Sequence, residues 1–136
     1  MPVKHEIAVQ VNQDPAKIKY IAAAISLFTT QLRALSRYEI KSKTYSPYYS
    51  GHESSWERES TEEYLISKAG QETGFLLVHR NSTELNFPTK DFPSGIADEE
   101  IKITAKLKTE NEPTLEQFLS GLFNRLESIV SYSHPF

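Results

Sequence analysis

The feature that most constrains this chain is an apolar stripe in residues 14–38. Ile18, Ile21, Ile25, Phe28, Leu32 and Leu35 succeed one another at steps of three, four, three, four and three. This spacing tracks the 3.6-residue period and predicts one long helix with a single apolar face. Asp14 suits the N-cap and Pro15 the first helical position. Tyr20, Ala24, Leu27, Ala34 and Tyr38 fall roughly opposite the stripe, while Lys19, Ser26, Thr30, Arg33 and Arg37 fill a narrow polar strip. A helix apolar on two sides needs two coverings. A sheet supplies one. The other is a second helix or, through Tyr20, Leu27 and Tyr38, a second copy of the chain in a homodimer.

The remaining pattern supplies the sheet. Val3, His5, Ile7, Val9 and Val11 alternate with polar residues and predict a half-buried strand over 3–11. His5 lies on its apolar side as a rim histidine. Residues 38–45 predict a second strand and residues 63–68 its return. The basic run Arg33, Arg37, Lys41, Lys43 precedes the acidic run Glu53, Glu57, Glu59, Glu62, Glu63, and a hairpin pairing the two explains that order. Residues 69–74 read as a turn, 75–79 as a central strand covered on both faces, 81–83 as a tight turn and 84–87 as a short strand. The stretch 88–99 is an irregular loop, with Phe87 and Phe92 pinning it to the body.

Ile101, Ile103, Ala105 and Leu107 then alternate with Lys102, Thr104, Lys106 and Lys108. This is a strand with a lysine row on its outer face, a device that protects an edge or keeps a sheet soluble. Thr114 and Gln117 fit a capping box opening a second amphipathic helix, which runs to about residue 132. Gly121 inside it allows close approach to the first helix. The order is strand, long helix, several strands, helix, with short strand connections. It predicts a single two-layer α+β domain over 1–136. A mainly antiparallel sheet of four to six strands carries both helices on one face.

Composition narrows the function classes. At 136 residues the chain is long enough for one core. A net charge of −3 gives no global attraction to nucleic acid or anionic membrane, so a nucleic-acid partner is disfavoured. The absence of cysteine removes disulfides, thiolate metal sites and a cysteine nucleophile. The first residues lack a signal-peptide pattern, and the longest apolar run is too short to cross a bilayer. A cytoplasmic protein without a membrane partner is the expectation.

The candidate site is an aromatic loop over 45–58. Tyr45, Tyr48, Tyr49 and Trp56 are concentrated there beside His52, with Pro47 and Gly51 shaping the backbone. Tyrosine and tryptophan offer rigid contact area with a polar handle and dominate binding hot spots. Such a loop suits a non-catalytic protein-interaction module, an adaptor, inhibitor or immunity-like protein. Alternatively, the rings stack a planar or phosphorylated small molecule or nucleotide while Arg37, Lys41 or Lys43 holds its charge. His52 with Glu53 or Glu57 sketches a hydrolase. However, the chain has no GxSxG elbow, Walker loop or dinucleotide fingerprint, and its histidines lack metal-ligand spacing. Neither a metal nor a cofactor is expected.

Overall fold

A computed structural model describes residues 4–10, 15–51, 54–93, 95–109 and 112–131. The element order is β1 (Lys4–Gln10), α1 (Pro15–Arg33), β2 (Tyr38–Gly51), β3 (Ser55–Lys68), β4 (Gln71–Leu85), β5 (Ile96–Leu107) and α2 (Pro113–Ser131). All strand pairs are antiparallel, in the order β1-β5-β4-β3-β2. The chain therefore makes a four-stranded meander from β2 to β5. α1 carries it from β1, at one edge, to β2 at the other.

Residues directly opposite one another in these pairs share a face of the sheet. One face carries Ile40, Ile66, Leu76, Val78, Ile101, Ile103 and Ala105, with Ile7 and Val9 from β1. Both helices lie on this face: α1 packs beside α2 and on β2, and α2 packs on β1 and β5. The core forms between them, where Ile21, Ile25, Phe28 and Leu32 of the α1 stripe are buried with Leu115, Leu119, Phe123 and Leu126 of α2. This is the predicted two-layer α+β architecture. Among the described residues, no helix is long and apolar enough to cross a membrane.

Several boundaries differ from the sequence expectation. α1 ends at Arg33 rather than near Tyr38. Ser36 takes a left-handed φ of 63°, which stops the helix and turns the chain into β2. Leu35 therefore leaves the stripe and is exposed. The Asp14 cap lies outside the described residues. The capping box at Thr114 does not form. Glu112 precedes the helix, its carbonyl accepting the Glu116 N–H at 2.9 Å, while the Thr114 hydroxyl accepts from Arg37 at 3.0 Å.

The strands are longer than predicted. The turn expected over 69–74 is only Ala69 and Gly70, at φ 52° and 77°. That conformation at two successive residues is the tight turn whose twist matches a hairpin. The turn expected over 81–83 is absent. Asn81, Ser82 and Thr83 continue β4, paired to Glu59–Glu57 on one side and Glu100–Asp98 on the other. Two flanking ladders outweigh a local turn preference. The lysine row does not guard an edge, because β5 lies between β1 and β4.

Candidate binding surface at the distal hairpin

The fourteen residues of β2 and of β3 each span roughly 46 Å, whereas a nineteen-residue helix spans roughly 28 Å. The sheet therefore outruns its helix layer. Buried apolar residues of β2, β3 and β4 are Tyr38, Ile66, Leu76 and Val78, all in the proximal half. Beyond them the helix-side face turns polar, through Arg80, Ser82 and Glu84 on β4 and Ser60 and Arg58 on β3. Glu99, buried there, is held by an ion pair with Arg80.

The predicted aromatic loop is thus mostly paired strand. β2 continues to Gly51 and β3 begins at Ser55, with a bulge between Tyr45 and Tyr48. The rings do not share one face. Tyr45 opposes Thr61 on the open side of the sheet, with the Lys43 ammonium 4.8 Å from its ring centroid. Trp56 opposes Gly51 on the helix side, and its ring lies directly over that glycine. A Cβ at Gly51 would stand 2.6 Å from the indole. The glycine is required there by close approach, and the large ring covers the backbone that it leaves bare. The backbones of Tyr48 and Tyr49 pair with Glu59 and Arg58; their side chains, like His52 and Glu53, lie outside the description.

The basic residues do not converge on one ring cluster: Lys43 lies against Tyr45, but neither Arg37 nor Trp56 belongs to that contact. Lys41 and Lys43 point to the open face, whereas Arg37 sits at the proximal end of β2, bonded to Thr114 and 5.7 Å from the Tyr38 ring. Tyr38 itself is not a surface residue for self-association. It is 4% exposed and its hydroxyl donates to Glu112 at 2.7 Å. Tyr20 and Leu27 are exposed on α1, and Leu27 lines a groove between α1 and α2 with Ala24, Phe118 and Gly121.

The open face is polarised along its strands. Its proximal rows carry Lys41, Lys43, Lys106, Lys102 and Lys4 around half-buried Leu65, Phe75 and Leu77. Glu6 is held below the ordinary carboxylate range by hydrogen bonds from Lys102 and Lys4. Among the described residues the charged side chains of the distal open-face rows are acids, Glu57, Glu59, Asp98 and Glu100, whereas Glu63 and Glu6 stand among the proximal lysines.

Sequence reasoning missed one residue here. Phe87 does not pin the following loop to the body; it is 79% exposed, the most exposed large apolar side chain described. The backbone at this point is fixed. Leu85 N–H donates to Gly95 O at 2.6 Å and Asn86 N–H to Ser54 O at 3.0 Å. A depression of about 300 Å³ opens beside it, lined by Ser54, Leu85, Asn86, Phe87 and Thr89. Trp56 is one residue pair inward, opposite Glu84. A single exposed phenylalanine before Pro88 gives no periodic signal, so pattern alone could not find it. A second depression on the hairpin, about 230 Å³, is lined by Thr44, Tyr45, Arg58, Ser60, Glu62 and Arg80. It is below the usual 300 Å³ or so of a small-molecule site, and it excludes Trp56.

No family model matches the chain, and no curated protein matches it. Among solved structures, the crystal structure of Mll3558 protein from Rhizobium loti is similar over 95% of this chain and 97% of its own, at 12% identity and a TM-score of 0.33. A likeness of that size carries no argument about the site.

Proposed function

We propose that this chain is a non-catalytic protein-interaction module that binds a partner protein through the distal end of the β2–β3–β4 ribbon. The observation carrying this reading is Trp56, the sole tryptophan, 45% exposed and seated over Gly51 on β3, which is paired to β2 and β4 beyond the helix layer. A rigid ring loses little rotamer entropy on binding, which is why tryptophan anchors interfaces. Phe87 adds a second exposed ring on the neighbouring strand end.

Strand addition along the outer edge of β2 is a poorer mode. That edge carries Lys41, Lys43, Pro47 and a bulge, all features that blunt edge pairing. The two shallow depressions also suit a side chain better than a whole nucleotide. The test compares partner capture by the wild type with capture by a Trp56→Ala/Phe87→Ala double variant of unchanged circular dichroism. Loss of the captured protein supports the reading. Undiminished capture overturns it.

A further inference from the structure

The chemistry of the partner can be narrowed from the charges around this end, an inference that rests on the protein-binding reading above. One row inward from Trp56, Glu57 and Asp98 stand on the open face, each opposite Thr83, and Glu84 stands on the helix side opposite Trp56. Asp91 is exposed in the loop that follows Phe87, and Glu59 lies one row further in. Among the described residues, the cations of this end are the exposed Lys90 in the same loop, together with Arg58 and Arg80. Arg80 is committed to Glu99, and Arg58 is engaged within the fold. The exposed rim is therefore acidic around an apolar centre, while the lysines of the open face are gathered at the opposite end of the strands.

We propose that the distal end docks a basic segment of a partner protein. One apolar side chain of that segment enters the depression beside Leu85 and Phe87, and flanking lysines or arginines meet Glu57, Glu84 and Asp98. The depression has room for a single large side chain. The acidic rim selects cationic neighbours and raises their encounter rate by electrostatic steering. The same rim repels nucleic acid and anionic lipid, whose binding is dominated by phosphate charge.

The test is a titration of ¹⁵N-labelled full-length protein with three synthetic nonapeptides. The first carries one leucine flanked by lysines and arginines, the second replaces that leucine with serine, and the third replaces each basic residue with glutamate. The expected result is saturable shifts confined to residues 54–57, 83–91 and 96–98 with the first peptide. Binding should weaken at least tenfold for the serine peptide, for a Phe87→Ser protein and for a Glu57→Lys/Glu84→Lys protein, and on raising salt from 20 to 300 mM. Equal or tighter binding of the glutamate peptide at the same residues overturns the charge assignment but leaves the protein-binding reading standing. Shifts elsewhere, or no saturable binding of the basic peptide, overturn the assignment too. Only undiminished partner capture by the Trp56→Ala/Phe87→Ala protein removes the underlying reading.

Discussion

At the residue scale, the hub is Glu112. Its side chain is 10% exposed and accepts from the Tyr38 hydroxyl at 2.7 Å and the Lys68 ammonium at 3.0 Å. One carboxylate so ties the start of β2, the end of β3 and the start of α2. Burial by itself would raise the Glu112 carboxyl, but the hydrogen bonds from Tyr38 and Lys68 and the charges of Lys68 and Arg37 outweigh it and hold it below the ordinary value. Burial, then the bond to Glu112, pushes Tyr38 up to about 12. Replacing Glu112 by Ala strands a buried hydroxyl and an ammonium, and should cost about 1–3 kcal/mol in urea unfolding. The pH dependence has two limbs. The depressed Glu112 contributes stability above its ordinary pKa of 4.5, lost as pH falls through the lower folded value. The raised Tyr38 contributes stability below pH 10 that is lost as pH rises towards 12. Unfolding curves from pH 9 to 12 should therefore decline less steeply in Tyr38→Phe. The remaining decline includes Tyr64, whose hydroxyl is raised by burial and by nearby Glu62.

At the element scale, two comparisons separate what a pattern implies from what packing uses. Leu32 and Leu35 belong to one helical stripe in the sequence, yet Leu32 is fully buried and Leu35 is exposed beyond the helix end. Leu32→Ala should cost about 2–5 kcal/mol through the cavity it leaves, whereas Leu35→Ala should stay within about 0.5 kcal/mol, both by denaturant titration. On the hairpin, Gly51→Ala places a methyl 2.6 Å from the indole of Trp56. The ring must leave the strand, and because Trp56 is the sole tryptophan its fluorescence should shift to the red. Global stability should change little, since Trp56 lies outside the buried cluster.

At the scale of the whole molecule, the sheet has a proximal half with a core behind it and a distal half without one. Ile66, Leu76 and Ile103 are buried under the helices, whereas in the rows beyond Ile101 the one buried side chain among the described strand residues is Glu99, ion-paired with the half-exposed Arg80. Local opening free energy follows buried apolar contact. Hydrogen exchange should thus protect the amides around Ile66, Leu76 and Ile103 close to the global limit. Amides over 44–45, 56–60 and 80–84 should exchange faster, through opening of the distal ribbon alone. Uniform protection along β3 and β4 would contradict this division.

The sequence by itself determined the architecture. The α1 stripe, the alternation in β1 and β5, and the α2 stripe are periodic signals, and periodicity reports which side of an element faces the core. The two-layer arrangement and the antiparallel sheet follow from those faces and the short connections. Tertiary structure alone decided the length of the hairpin. Turn-forming residues such as Asn81-Ser82-Thr83 on β4 and Ser50-Gly51 on β2 favour loops locally, but ladders on neighbouring strands satisfy their backbone groups and hold them extended. The same pairing sent Tyr45 and Trp56 to opposite faces, buried Tyr38 and left Phe87 in solvent. Whether a ring seals a core or stands free depends on what lies across from it, and that partner is fixed by register and layer, not by neighbours in the chain.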